Sequence, residues 1–315
     1  MDAIGGYFEL ELAAREEYHR NALRLNSGRN CLEYILRVRN YSKVFIPYYT
    51  CEVLLEPFDK LGIAYEFYHI SNHLELVSYL SLKEDEALLY TNYFGLKQRY
   101  VELLAEKYGK SLIVDNTQAF YAKPIPDIDT FYTCRKFFGV PDGAYLYCDK
   151  PMHALLEQDH SYDRMTHLLK RIDMGAETGY DHFRMNDNSL GNQSIRLMSK
   201  LTRRMMESID YENAAKRRRF NYAVLQDNLG SENMLVLPLE EDAVPLVYPY
   251  LSEKENLRER LISNKIFVAR YWPNVMEWCN SGDVEFTFAS MTQFLPIDQR
   301  YNKEEMNKII RVIKQ

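Results

Sequence analysis

The chain is 315 residues long, 46% hydrophobic and 27% charged, with a formal charge of −6 at pH 7. That length suits one large α/β domain with a smaller companion, the composition excludes a disordered chain, and the negative balance excludes general affinity for nucleic acid, which needs a basic surface field. No apolar run approaches the ~20 residues that cross a bilayer, and acidic residues stand where a signal peptide carries basic ones, so a cytoplasmic location without a membrane partner is expected.

The first chemical feature is Asn26-Ser27-Gly28-Arg29-Asn30-Cys31, ahead of a helix-like stretch. A small turn with a glycine, feeding a helix, leaves backbone N–H groups pointing outward where the dipole favours an anion. A phosphate seat and a plain N-cap are both open readings.

From residue 44 to 147 short runs rich in β-branched and aromatic residues alternate with helical patterns. The runs are 44–46, 65–68, 87–90, 111–114, 130–132 and 144–147, with helices expected over 53–61 and 101–108. That rhythm predicts a mainly parallel sheet between helices, in which ligands bind just past the strand ends. The segments found there are Pro47-Tyr48-Tyr49-Thr50, Thr91-Asn92-Tyr93-Phe94-Gly95 and Asp115-Asn116-Thr117-Gln118.

Asp115 directly follows an apolar run, where a carboxylate can pair with a protonated heterocyclic nitrogen such as that of pyridoxal phosphate; ordinary turn chemistry is the alternative. Gln118 is then a partner for the same ring's phenolic oxygen, or a simple loop amide. Lys136, in Thr133-Cys134-Arg135-Lys136-Phe137-Phe138-Gly139, ends a short strand among apolar neighbours. Burial there depresses an amine's pKa, as Schiff-base chemistry requires, whereas a surface lysine beside an arginine does not need it.

Beyond residue 151 a Gly- and Asn-rich connection is expected over 175–193, then a long helix over 195–229. The basic run 216–219 inside it reads as a solvated helix face, with an anion patch as the minority reading. Strands over 234–237, 244–247 and 266–268, and helices over 253–263 and 303–313, form a small α+β domain; the division falls between 205 and 206. Cys31, Cys51, Cys134, Cys148 and Cys279 show no CxxC pairing and read as free thiols without a metal.

The common order of these pieces resembles the DegT/StrS-like sugar aminotransferases, which are fold-type I pyridoxal-phosphate enzymes. The matching motifs are Ser-Gly-x-x before a helix, Asp-x-x-Gln after a strand, and Thr-x-x-Lys before a glycine-containing turn. Pro47-x-x-Thr50, Asp142-Gly143, Phe183-Arg184-Met185, Arg219-x-Asn221-Tyr222 with Leu225, and Arg270-Tyr271-Trp272-Pro273 resemble further family segments, so the likeness covers most of the chain.

The resemblance implies a fold-type I large domain, with a seven-stranded-type mainly parallel sheet, and a smaller α+β domain. It implies that Lys136 carries the cofactor as a Schiff base and shuttles the substrate proton, that Asp115 holds the ring nitrogen protonated and that Gln118 meets the ring oxygen. The phosphate would rest on the Ser27-Gly28 turn, with the N–H groups of Arg29 and Asn30 and the Thr133 hydroxyl. A homodimer with shared active sites is implied, as are an amino-acid donor and a keto-sugar acceptor.

Three positions depart from the family pattern. Cys51 stands where an aromatic residue stacks on the ring, leaving Tyr93 or Tyr49 as substitutes. Phe131 occupies the usual serine position, moving the hydroxyl to Thr133. His182 replaces the asparagine that reaches the partner's phosphate. For the donor's carboxylate Arg270 and Arg184 are candidates, each with a structural ion pair as its alternative. Transamination leads; elimination, which the family performs with histidine in place of the lysine, and a non-catalytic ligand-binding scaffold are the rivals.

Overall fold

A computed structural model of the chain describes residues 4–315. In chain order the elements begin β1 (Leu23–Leu25), α1 (Gly28–Arg39), β2 (Lys43–Pro47), α2 (Glu56–Leu61), β3 (Ala64–Tyr68), β4 (Glu86–Thr91), α3 (Gln98–Tyr108), β5 (Leu112–Asp115), β6 (Asp129–Thr133) and β7 (Ala144–Tyr147). All seven strands join one sheet in the order β1-β7-β6-β5-β4-β2-β3. β7 runs antiparallel to both its neighbours and the other pairings are parallel.

The strand alternation explains why this sheet is covered on both faces. Phe45, Leu88, Tyr90, Leu112 and Val114 enter one buried cluster, while Val44, Ile46, Ala87, Leu89 and Ile113 enter another on the opposite side. β4 and β5 are buried at every position, as central parallel strands must be. The six sequence-predicted strands therefore stand, and the three-residue β1 is the one added.

The second half is α4 (Thr166–Met174), α5 (Ala176–Ser189), α6 (Lys200–Glu207), α7 (Tyr211–Leu229), β8 (Val247–Leu251), α8 (Leu257–Ser263), α9 (Val275–Trp278), α10 (Val284–Met291), β9 (Thr292–Pro296) and α11 (Lys303–Lys314). β8 and β9 form a separate two-stranded antiparallel sheet. The whole is the fold-type I transferase architecture, a large mostly parallel sheet with a smaller α+β unit.

Several local expectations are corrected here. Residues 175–193 are not a connection: α5 fills most of the span and packs on α4 as a hairpin. The residues that suggested a loop serve that packing. A Cβ on Gly179 would lie 2.9 Å from the His167 carbonyl oxygen, so its absence lets the helices approach. Residues 195–229 divide into α6 and α7, each started by a side-chain cap, Ser199 on the Thr202 N–H and Asp210 on the Asn213 N–H. Position 205 falls inside α6.

The small sheet also differs from expectation. Residues 234–237 and 266–268 form no strand, only Val247 of 244–247 belongs to one, and the partner of β8 is β9. Proline lacks a ladder donor but is tolerated in a two-stranded ribbon, as Pro249 shows. α11 carries a full capping box between Asn302 and Glu305. All five cysteines are free, and among the described residues no helix is long and apolar enough to cross a membrane.

Candidate active site

The candidate residues gather where β4, β5 and β6 end and α1 begins. β5 closes on Asp115, which is 5% exposed, and its Oδ1 accepts the Thr117 N–H at 2.8 Å. This turn is fixed on both flanks, by Asn92 N–H to the Asp115 carbonyl at 3.0 Å and by Asn116 N–H to the Phe131 carbonyl at 2.8 Å.

Gln118 is wholly buried. Its Oε1 accepts the Phe94 N–H at 3.0 Å, which ties the loop after β4 to the loop after β5. Gly95 follows with φ +73, and a Cβ there would sit 2.9 Å from the Val244 carbonyl oxygen, so only glycine fits the crossing. The Nε2 of Gln118 is buried with no partner among the described residues. A buried donor without an acceptor is costly and points to a missing one.

Lys136 lies on a turn after β6, where the N–H groups of Phe137 and Phe138 both reach the Cys134 carbonyl, at 3.1 and 3.0 Å. Its Nζ donates to Thr117 Oγ1 at 3.0 Å. Burial lowers the pKa of this amine, against the raising effect of Asp115. Burial likewise raises that of Asp115, against the lowering effect of Lys136. Each charge is held mainly by the other, and both groups lean toward their neutral forms.

α1 meets this pair end-on: a Cβ built on Gly28 would touch Thr117 Cγ2 at 3.4 Å. Ser27 caps the helix, accepting the Asn30 N–H at 3.2 Å and donating to Asn30 Oδ1 at 2.7 Å. The Asn30 N–H is thereby engaged, and Asn30 Nδ2 reaches the Gln193 carbonyl at 2.9 Å. The outward first-turn donors are those of Gly28 and Arg29, whose side chain pairs with Glu56 at 3.1 Å. The Thr133 hydroxyl makes only a long 3.5 Å contact with the Gly143 carbonyl.

Cys51 faces the same space. Burial pushes its thiol up, and the Lys136 cation works against that shift. Asn274 Nδ2 donates to the Thr50 carbonyl at 2.9 Å, drawing the 271–274 loop against the 47–51 loop. Tyr49 and Tyr93, by contrast, belong to the core. Their rings lie 5.5 Å apart, Tyr49 meets Trp272 at 5.2 Å, and the Tyr93 hydroxyl donates to the Tyr49 carbonyl at 3.0 Å. In this structure Tyr93 is thus fully buried and packed against Tyr49.

The remaining candidates stand apart. Arg270 is exposed near Arg258, and Arg184 is exposed on α5; neither makes an ion pair among the described residues. His182, also on α5, places Nε2 3.5 Å from the Lys170 amine. What α5 does bring to the Lys136 turn was not anticipated: Asp187 pairs with Arg135 at 2.8 Å, and Asn186 donates to the Pro141 carbonyl at 2.8 Å.

Asp142 and Gly143 close the same loop. Asp142 is completely buried, accepting from Thr202, Ser199 and Arg164. The basic run 216–219 is not a uniform solvated face: Lys216 is exposed and pairs with Glu212, but Arg218 is only 1% exposed. A cavity of about 470 Å³ lies at the far end of β6, lined in part by Asp129, Cys148 and Asp149, and Arg39 already bridges both carboxylates there.

No family model matches this sequence, and no curated protein matches it. Solved structures do. DesV from S. venezuelae is 16% identical, with a TM-score of 0.62 over 93% of this chain and 84% of that one. The sugar aminotransferase CalS13 from Micromonospora echinospora is 12% identical, with a TM-score of 0.64 over 94% and 87%. A DegT DnrJ EryC1 StrS aminotransferase from Brucella abortus is 14% identical, with a TM-score of 0.60 over 93% and 85%. At such identities the likeness is one of fold.

Proposed function

We propose that this chain, which has the fold of the DegT/DnrJ/EryC1/StrS sugar aminotransferases, is a pyridoxal-phosphate-dependent aminotransferase moving an amino group from an amino acid, with glutamate as donor, to a nucleotide-linked keto-sugar. The observation that carries the reading is the chain of contacts from the Lys136 amine through Thr117 to the Asp115 carboxylate, with the unpartnered Gln118 amide on the same loop after β5.

The residues fit the cofactor. A buried amide donor without an acceptor suits its phenolic oxygen, a buried carboxylate suits its ring nitrogen, and the first turn of α1 with Thr133 suits its phosphate. When bound, pyridoxal phosphate supplies an aldehyde for amine attachment and a ring that withdraws electrons from the reacting carbon.

The protein does the rest. Asp115 would hold a proton on the ring nitrogen. With the cofactor in place, Lys136, its amine shifted toward the neutral form, would be the group that bonds the aldehyde and, when free, the base that holds and moves the substrate's α-proton on Nζ. Thr117 aims that amine. Arg270 and Arg184, free of carboxylate partners among the described residues, are the candidates for the donor's carboxylate.

A homodimer with shared sites, cytoplasmic, completes the reading. Its support is the exposed apolar surface of the α4–α5 hairpin, with Leu169, Ile172, Tyr180 and Met185, next to His182. Glutamate added to cofactor-loaded protein should bleach the visible absorbance and release one 2-oxoglutarate per site. An unchanged spectrum would return the chain to the class of binding scaffolds.

A further inference from the structure

Arg218, on α7, is a buried cation that contacts no carboxylate among the described residues. Its Nε donates to Gln299 Oε1 at 3.0 Å, its Nη1 to the Leu246 carbonyl at 3.0 Å, and its Nη2 to the Phe137 carbonyl at 3.2 Å. Gln299, on the segment between β9 and α11, donates its Nε2 to the same Phe137 carbonyl at 2.9 Å. The guanidinium carbon also lies 4.6 Å from the centre of the Phe137 ring. Burial lowers its pKa to about 10, opposed by Asp298.

Phe137 is the residue after Lys136. Its N–H is held by the Cys134 carbonyl at 3.1 Å and its carbonyl by two donors from elements more than 80 residues away in sequence, so the residue following the lysine is held through both of its flanking peptide groups. A buried, unpaired cation is an expensive way to stabilise a fold, because an apolar side chain of the same volume would avoid its desolvation. What the guanidinium adds is direction: a planar fork that fixes one carbonyl to the small-sheet half of the molecule.

We propose that Arg218 and Gln299 are positioning residues for Lys136: through the Phe137 carbonyl they set the backbone from which the amine reaches Thr117, and they make the seating of α7 and the β9–α11 segment a condition for a correctly aimed amine. The proposal rests on the reading of Lys136 as the reactive group. It adds that the C-terminal elements, which carry no candidate acid or base at the site, control the geometry of the large-sheet lysine.

The test uses Gln299→Met, which removes two hydrogen bonds without changing charge, and Arg218→Lys, which keeps the charge and loses the fork. In protein without cofactor, reductive methylation of Lys136, read by peptide mass spectrometry across pH, gives the titration midpoint of its amine among Asp115, Cys51, Asp187 and Arg135. In protein supplied with pyridoxal phosphate, borohydride trapping gives the rate of attachment. Thermal unfolding of each variant reports folding separately.

Both variants should raise the midpoint toward that of an ordinary lysine and slow attachment by about tenfold or more, since a misplacement of about 1 Å costs as much or more. Cooperative unfolding with a wild-type midpoint and a wild-type attachment rate would overturn the proposal and reduce the clamp to packing. If Arg218→Lys does not fold, Gln299→Met decides alone. A wild-type protein that never forms the adduct would end the reading of the site, and the methylation midpoints would still decide the positioning role.

Discussion

The amine of Lys136 donates to the hydroxyl of Thr117 at 3.0 Å, and Thr117 in turn gives its backbone N–H to Asp115 at 2.8 Å. One residue thus links the proposed nucleophile to the carboxylate that balances its charge. Neither strand end carries the site alone; the turn between them does.

Removing the hydroxyl while keeping the shape should loosen this link. Thr117→Val is expected to retain a borohydride-trappable adduct at Lys136 but to form it roughly five- to tenfold more slowly, the worth of a hydrogen bond of about 1 kcal/mol. Lys136→Ala should form none. The rate of fixed cofactor incorporation measures both, and an unaltered Thr117→Val rate would separate Thr117 from the chemistry.

Asp115→Asn should act in two directions at once. Without the carboxylate the buried amine loses its counter-charge, so its pKa falls further and Lys136 in cofactor-free protein labels faster at neutral pH. Cofactor affinity should drop by about ten- to a hundredfold, because a charged hydrogen bond is worth about 1.5–3 kcal/mol. Labelling kinetics and absorbance titration check the two effects, and a variant that moves neither would show Asp115 to be a turn residue.

Gly143→Ala tests the loop behind the lysine. Its φ is +103, and a Cβ would stand 2.8 Å from Thr202 Cγ2 and 3.2 Å from both Cys134 Sγ and Met198 Cε. Strain and overpacking together should remove about 2–4 kcal/mol. Gly139→Ala is the control, for its Cβ meets only Leu168 at 3.7 Å and should change stability by less than about 1 kcal/mol. Urea unfolding of the pair measures the difference.

Burial holds the His19 imidazole at about 4 rather than 6.5, with Nε2 2.7 Å from the Phe120 carbonyl and Nδ1 3.2 Å from the Tyr147 hydroxyl. Between those values the unfolded chain binds more protons, so this contribution is complete above pH 6.5 and is lost as pH falls toward 4. At about 1.4 kcal/mol per unit it amounts to roughly 3 kcal/mol.

Asp142 opposes it. Burial raises its carboxyl from 3.8 to about 6, so its contribution is complete below pH 3.8 and lost as pH rises through 6. With both groups present the two contributions nearly cancel across this window, so removing the imidazole in His19→Gln should expose the fall due to Asp142 as a loss of stability with rising pH. Urea midpoints at about pH 4.5, 5.5 and 6.5 read it out; a variant with the wild-type slope would exclude His19 as the compensating group.

The sheet is readable in the sequence because its strands are short, apolar and regularly spaced; position past the strand ends singles out Asp115, Gln118 and Lys136 only as polar residues to weigh, and their proposed roles come from the family resemblance. The hairpin of α4 and α5 is not, because Gly179 signals a loop locally and close helix packing only when His167 is already in place. β9 was hidden for a similar reason, since its pairing with β8 depends on a partner more than 40 residues away.

Arg218 marks the division most clearly. By itself the sequence determined the local terms: hydrophobic period, strand ends, the turn before α1 and the chemical type of each candidate side chain. Only the tertiary structure decided which basic residue of the run 216–219 leaves water, that Thr117 meets Lys136, and that Tyr93 packs inward. Burial, pKa and hydrogen-bond partner are properties of a neighbourhood, and residues distant in the chain make up that neighbourhood.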